Sequence, residues 1–538
     1  MMSAKEKIIA SIEEALSKLN VSKKVILTEA KDHGDFASNI ALTLQKELGK
    51  SAMEVAQDIA KNIDKDKYSI KEIEIAHPGF LNFYVQSEVF SEVVDNINKL
   101  NEKYGEGKEK IHPVNVEFVS ANPTGFLHIG HARNAAIGAT LCNVLEKAGH
   151  KVIREYYVND AGNQMNNLAA SLFSRYQQIF DPSYPMPEDS YKGGDIVYFA
   201  EEFHKVYGDK FKGADYESNR ALFKQFGLEI ALREIKNDMT RFGTWFDLYS
   251  SEQELYDKDM VFKAIDRLSD VYEKDGAKWL ATTKGGYDDK DRVIVKSDGG
   301  FTYMCADIAY HEDKLKRLND PKGVILDIWG ADHSGYVERI KYAMSDLGYT
   351  RNQCEMILFQ LLRVVKDGKE VKMSKRLGTS LTLRELMDLV GKDPIRFFLI
   401  NRSYNSKIDF DINKVNEESE TNPLFIIKYA HARATQLIKN SKYLENAKAG
   451  EYNEESQIKL INELKQYPDL IQTMAKTYKV NLLPPYLLGL AGAFNSFYSN
   501  NKVIGSENEE SLIALAKATK TVLANGLKLM DLDVPEKM

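Results

Sequence analysis

Cysteine is scarce: three residues, Cys142, Cys305 and Cys354, stand singly in a chain of 538, with no Cys-x-x-Cys pair. That spacing supports neither a disulfide framework nor a zinc site. No apolar run reaches the length that crosses a bilayer, and the start, Met1 to Lys7, leads into a charged amphipathic pattern rather than a signal peptide. The expectation is a cytoplasmic protein without a membrane partner. Net positive charge is absent too. Lys and Arg number 72 against 79 Asp and Glu, a formal charge of −7. This excludes a basic protein that coats nucleic acid indiscriminately, yet leaves room for an RNA held on a local basic face. No internal repeat or long low-complexity segment occurs. The length exceeds what one core supports, so several domains are expected.

What is present centres on Val116 to Ala135. By period this stretch reads as a buried strand, a loop broken by Pro123 and Gly125, and a helix. Ile137, Leu141, Val144, Leu145 and Ala148 form its apolar face, and Gly149 ends it. A second strand, Val152 to Val158, completes a strand–helix–strand unit of a parallel sheet. Such sheets bind ligands beyond the strand C-termini, where loop and helix N-terminus offer N–H groups to an anion. His128 and His131, with Gly130 between them, stand at that mouth. Two imidazoles there can donate to phosphate oxygens, and they can equally be capping residues.

The run His128-Ile129-Gly130-His131 resembles the signature of class I aminoacyl-tRNA synthetases. Its flanks, Val116-Glu117-Phe118 through Ser120, Asn122-Pro123-Thr124-Gly125 and Gly130-His131-Ala132-Arg133, resemble the arginyl-tRNA synthetases in particular. Phe126 departs from them, since bacterial members commonly show Pro there. The resemblance implies that His128 and His131 are catalytic, and that Ala121, Asn122, Pro123, Thr124, Gly125, His128, Gly130 and His131 bind ATP. It further implies that Glu117, Ser120, Asn122 and His131 contact arginine.

Residues 1 to about 105 read as a small α+β domain closed by the polar run Asn101 to Lys108. Its segments Gly34 to Asn39 and Ile75 to Phe83 read first as turn and core. They also resemble the N-terminal domain that arginyl-tRNA synthetases place against the outer corner of tRNA, which makes Phe36 and Asn39 expected RNA contacts. The catalytic domain is expected over 106–405, with a helix-rich charged insertion at about 165–290 to which composition assigns no chemistry. The parallel sheet is expected to resume at Asp291 to Val295. After it, Tyr303 and Asp307 lie one helical turn apart, as a first-turn carboxylate with a packed ring or as a cage for a guanidinium. The resemblance implies the second, an arginine side-chain site.

The apolar strand Gly323 to Trp329 ends in Gly330-Ala331-Asp332-His333, where a doubly wound sheet binds nucleotide, so Asp332 and His333 join the expected ATP site. A basic loop, Lys372-Met373-Ser374-Lys375, precedes the helix Leu383 to Leu389. Alone it is a solvated loop; with the histidine motif upstream it resembles the second class I signature, whose Lys372 and Lys375 would be catalytic and, with Met373 and Ser374, grip a triphosphate. No lysine lies between Val116 and His131, as in the branch of the family that keeps this loop intact. From about 405 the pattern turns helical to the end, resembling the family's anticodon-binding domain (406–538), with Tyr429 and Arg433 as expected tRNA contacts and Lys428 and His431 facing either solvent or RNA.

The expected fold is α/β: a Rossmann-like, doubly wound parallel catalytic sheet with a helical insertion, an N-terminal α+β domain and a C-terminal all-α bundle. The implied activity joins arginine to its tRNA through an adenylate, with ATP and Mg2+, tRNA and L-arginine as partners, and a monomer as the working form. Another class I ligase would share the nucleotide motifs but lack the N-terminal domain and the Tyr303/Asp307 pair. A non-catalytic tRNA-binding relative has no need of intact His128, His131, Lys372 and Lys375.

Overall fold

The computed structural model describes residues 4–29, 34–284, 286, 288–371 and 381–538. The chain opens with α1 (Ala4–Lys18), β1 (Thr28–Glu29), β2 (Phe36–Ser38), α2 (Ile40–Leu48), α3 (Ala52–Asn62), β3 (Ile70–Ala76), β4 (Phe80–Val85) and α4 (Ser87–Leu100). The strands form an antiparallel sheet in the order β1-β2-β4-β3. Ile8, Ile12, Ala15 and Leu16 of α1 recur at helical spacing and are buried. A capping box between Ser51 and Glu54 starts α3.

The central part runs β5 (Ile111–Glu117), α5 (Ile129–Ala148), β6 (His150–Val158), α6 (Asn163–Gln178), α7 (Gly194–Tyr207), α8 (Tyr216–Arg241), β7 (Leu248–Ser251), α9 (Glu252–Asp257) and α10 (Met260–Asp266). It continues with β8 (Val271–Lys274), β9 (Ala277–Leu280), β10 (Arg292–Val295), α11 (Tyr303–Leu318), β11 (Val324–Gly330), α12 (Ser334–Asp346), β12 (Cys354–Phe359), β13 (Leu362–Lys366) and β14 (Lys369–Val371). Five strands make one parallel sheet, β12-β11-β5-β6-β7. Helix α5 is buried all round from Ala132 to Cys142, Arg133 and Asn134 included, rather than along one apolar face. Gly138 permits its approach to the sheet: a Cβ there would stand 2.2 Å from the ring of Phe118.

Two expectations change. The strand at Arg292–Val295 does not resume the parallel sheet; it pairs antiparallel with β9 in a separate sheet, β10-β9-β8. The fifth parallel strand is Leu248–Ser251, inside the stretch read as a helical insertion. It is a four-residue edge strand, half-buried throughout, and so lacks the apolar run that marks a central parallel strand. The helical insertion proper is α6 to α8, around an aromatic core of Phe173, Tyr176, Phe199, Phe203 and Phe223.

The chain closes with α13 (Leu383–Val390), α14 (Lys392–Ile400), β15 (Ile408–Asp411), α15 (Ile412–Val415), α16 (Pro423–Lys439), α17 (Glu455–Lys465), α18 (Tyr467–Thr477), α19 (Leu483–Asn500) and α20 (Glu509–Leu529). β15 lies beyond residue 405 yet pairs with β13 in a fourth sheet, so the helical bundle begins after it. The N-terminal unit leans on this bundle. Asn98 Nδ2 donates to Ala514 O at 2.9 Å, Ser91 Oγ to Gly450 O at 2.6 Å, and Lys465 sits 4.6 Å over the Phe36 ring.

The C-terminal tail is riveted to the catalytic part by Arg396, which is fully buried on α14. Its Nε donates to Met530 O (2.7 Å), Nη1 to Phe242 O (3.0 Å) and Thr244 Oγ1 (3.1 Å), and Nη2 to Asp531 Oδ2 (2.6 Å). Burial acts against both charges, lowering the guanidinium and raising the Asp531 carboxyl. Asp531→Ala would therefore strand a buried cation among neutral acceptors, at a cost of roughly 3–5 kcal/mol. A clear fall in the urea midpoint, larger than for Lys392→Ala nearby, is the expected result.

Candidate active site

β5 ends at Glu117, and the chain turns through Val119 (φ +69°) and Ser120 (φ +39°). A β-branched residue in the left-handed region is uncommon, and such backbone concentrates at functional sites. Ser120 Oγ donates to Glu117 Oε1 at 2.9 Å and accepts from Tyr157 N at 3.0 Å, which holds the turn. Beyond it the Tyr156 hydroxyl donates to Ala121 O at 2.6 Å, and Thr124 N to Asn122 O at 2.8 Å. Pro123, Thr124 and Gly125 are buried, while Asn122 is exposed.

His128 is the N-cap of α5. Its Nδ1 accepts from Gly130 N at 3.1 Å, and His131 Nδ1 accepts from His128 N at 3.2 Å. The rings stack with centroids 3.8 Å apart. With each Nδ1 accepting from the main chain, the neutral rings carry their protons on Nε2, so both present a donor. Both residues thus cap the helix, one of the two roles the motif allows.

Lys372, Met373, Ser374 and Lys375 lie outside the described residues. The chain that follows them meets the histidine motif directly: Leu383 N donates to Leu127 O at 2.7 Å, and Thr382 forms a β-bridge with His128. Asp332 and His333 occupy a single 3-10 turn after β11, both exposed, with Nε2 and Oδ2 3.6 Å apart.

Beneath the mouth lies a buried charge network. Lys314 of α11, wholly buried, donates to Glu117 Oε2 and Asp327 Oδ1, both at 2.6 Å. Burial alone would lower the Lys314 ammonium, but the fields of Asp327 and Glu117 outweigh it and raise it. Burial likewise works to raise Asp327, yet Lys314 and His311 hold that carboxyl down at about 2. Glu117, taken by Lys314 and Ser120, is raised by burial against the pull of Lys314. His311 joins Asp327 (Nε2–Oδ2 2.7 Å) to the Asp307 carbonyl (Nδ1–O 2.6 Å).

Tyr303 and Asp307 do share a face of α11, but the hydroxyl on Asp307 belongs to another residue. Tyr336 donates to Asp307 Oδ2 at 2.6 Å, whereas Tyr303 is 83% exposed at the first helical position. Asp307 is raised by burial, and Tyr336 opposes that rise. Glu252, at the start of α9, is pushed up to about 7 by burial, with Asp307 and Asp160 adding their repulsion. Sequence reasoning missed Tyr336, Lys314 and Glu252. Only Tyr336 had a local signal, four residues past Asp332 at the end of an apolar strand.

The expected RNA contacts divide. Arg433 donates to the Tyr429 hydroxyl at 2.9 Å and lies 4.5 Å from its ring and 4.8 Å from that of Tyr498, on the exposed side of α16 and α19. Asn39 is exposed at the N-cap of α2. Phe36, by contrast, is only 2% exposed, a core residue whose ring cannot stack on a base. His431 is buried against Pro535 O (2.8 Å), and Lys428 is paired with Asp393, so neither faces outward as a free contact.

Known proteins match this arrangement over its whole length. Residues 5–85 match the arginyl tRNA synthetase N terminal domain, 93–431 the tRNA synthetases class I (R) catalytic domain, and 427–538 the DALR anticodon binding domain. The chain is 65% identical to the arginine--tRNA ligase of Metamycoplasma arthritidis, covering 100% of each. It is 40% identical to that of Bacillus subtilis, covering 99% of this chain and 98% of the other. The solved arginyl-tRNA synthetase of Thermus thermophilus shares the fold, with a TM-score of 0.73 over 99% of each chain at 20% identity. Three successive domain matches in one chain and full-length identity well above 30% leave one conclusion: the chain belongs to the class I arginyl-tRNA synthetases.

Proposed function

We propose that the loop from Ala121 to His131, with the start of α5, is where ATP meets arginine. Charging tRNA with arginine at the expense of ATP is the reaction of the family, and this chain performs it. The observation that carries the placement is the stacked His128–His131 pair at the start of α5, each ring fixed through Nδ1 to the main chain in the loop that follows β5. In the first step the arginine carboxylate attacks the α-phosphorus in line and pyrophosphate leaves. The nucleophile is already ionised at neutral pH, so no protein base is needed, and the work is positioning and charge stabilisation. His128 and His131 donate to the phosphate and ribose oxygens, and Lys372 and Lys375 take the β and γ phosphates, with Met373 and Ser374 in the same loop. Asp332 and His333 complete the nucleotide side. In the second step the tRNA 3′ end takes the arginyl group and AMP is released.

Asp307, steadied by Tyr336, is the acceptor for the guanidinium, with Tyr303 one turn away. Glu117, Ser120, Asn122 and His131 serve the backbone end of arginine. Among the described residues no group of three or more His, Cys, Asp or Glu could hold a metal. Magnesium would ride on the ATP phosphates, which with water supply the oxygens it favours. The proposal extends to tRNA contacts at Asn39, Tyr429 and Arg433, to an N-terminal unit (1–105), a catalytic unit from 106 through β15 and an anticodon-binding unit after it, and to a monomer working in the cytoplasm.

His128→Ala and His131→Ala should each slow arginine-dependent pyrophosphate exchange by roughly 2.7–4 kcal/mol of barrier, with little change in arginine affinity. An unchanged rate in both would sink the placement. Asp307→Asn should raise the arginine requirement by about one to two decades and leave ATP binding alone, because a charge-assisted pair of donors loses its anion. Titrating both substrates separates this from a structural effect, in which both would shift.

Glu252 adds a pH dependence. Its carboxyl ionises only near 7, and a guanidinium beside Asp307 would favour the ionised form. Arginine binding should then expel a proton, so affinity should rise as pH climbs from about 6 to about 8. Calorimetry in two buffers of unlike ionisation enthalpy would read the released proton, and Glu252→Gln should flatten the profile.

A further inference from the structure

The insertion formed by α6 to α8 places a carboxylate on the loop that precedes His128. Asp195, the second residue of α7, accepts from Ile196 N through Oδ1 at 3.0 Å and from Phe126 N through Oδ2 at 3.2 Å. The same Oδ2 lies so near the loop that a Cβ added to Gly125 would stand 2.0 Å from it. Oδ1 packs as closely on Gly193, where a Cβ would stand 2.4 Å away. The carboxylate is thus wedged between two glycines and bonds the main chain two residues before His128.

The Phe126 side chain is held from the same quarter. Its ring lies 5.6 Å from Tyr198 and 5.9 Å from Phe199, both on α7. The Arg384 guanidinium stands 3.8 Å from the ring centroid, and Arg384 is itself bonded to Asp238 Oδ1 (3.1 Å) and Glu234 Oε2 (3.0 Å) of α8. Asp195 sits in the first turn of α7, where the helix dipole favours a negative charge. It can therefore bind a backbone N–H at the edge of a site for polyanions and spend its charge on its own helix.

We propose that Asp195 is a positioning residue for adenylate formation: it fixes the peptide at Gly125–Phe126, and through it the approach of the loop to the ATP phosphates. The helical insertion is then a brace for the nucleotide loop. This rests on the reading of Ala121 to His131 as the ATP site.

The test is pyrophosphate exchange on the full-length protein with tRNA present, ATP and arginine varied separately, for wild type, Asp195→Ala, Asp195→Asn and His128→Ala. Losing a hydrogen bond to a charged group predicts about a tenfold or greater rise in KM for ATP in Asp195→Ala, with KM for arginine within about twofold. The Asn variant keeps an acceptor and should fall between, and the thermal midpoint should stay near that of wild type. Equal rises for both substrates with a lowered midpoint and no rescue by Asn would make Asp195 a packing residue and overturn the proposal. A normal Asp195→Ala beside a defective His128→Ala would overturn the brace and leave the site reading standing. Normal exchange in both would overturn the site reading as well. Should Asp195→Ala fail to fold, Asp195→Asn carries the test alone: an ATP-selective rise supports the brace, and a shift in both substrates or neither overturns it.

Discussion

Much of the active-site region depends on one ammonium group closed off from solvent. Lys314 is wholly buried, and its Nζ joins Glu117, the last residue of β5, to Asp327 in the middle of β11. A buried charge is tolerated only when its partners are in place, so helix α11 cannot slide or turn without stranding it. That constraint sets the height of α11 over the sheet. Asp307 and His311 sit on the same helix, so their positions follow from it, as does the contact between His311 and Asp327. Arg317, three residues on from Lys314, repeats the device by reaching Glu155 of β6 at 2.7 Å. Three neighbouring strands are thereby indexed to one helix by charge pairs rather than by apolar packing, which would permit several nearly equal registers.

This explains what was legible in the sequence. His128 and His131 could be read because everything that defines them is local: a strand, a loop, a cap and a helix start within a few residues. Glu117 came from the family resemblance, but nothing pointed to Lys314, which lies 197 residues away and has no motif around it. Asp195 and Phe126 are 69 residues apart and meet only through a backbone N–H, a group that composition cannot report. Helical spacing puts Tyr303 on the face of Asp307 and the family resemblance made the pair an arginine site, whereas the hydroxyl that reaches Asp307 comes from Tyr336 on the next helix. Phe36 shows the opposite fault: a motif position was expected to face RNA, and the ring packs inside. The edge strand Leu248–Ser251 escaped because four half-buried residues carry no period long enough to count.

The acidic balance of the chain leaves an RNA partner to local contacts, and the patch proposed for them lies on α16 and α19. Arg433 is laid between Tyr429 and Tyr498 and tethered to Asn495 Oδ1 at 2.9 Å, so a cation and two aromatic faces are presented in fixed relation. Ordering these side chains in the free protein lowers the entropy lost when a base or phosphate arrives. A small prearranged patch can therefore serve where a diffuse positive field is absent.

The three cysteines have a practical corollary. Cys142, Cys305 and Cys354 are buried, and burial pushes each thiol upward, Cys305 to about 11. The reactive species is the thiolate, which these environments suppress. The chain can thus receive a spin label or fluorophore at a cysteine introduced on its surface, for instance at Asn39 or Tyr498, with the native thiols left in place and silent to the reagent.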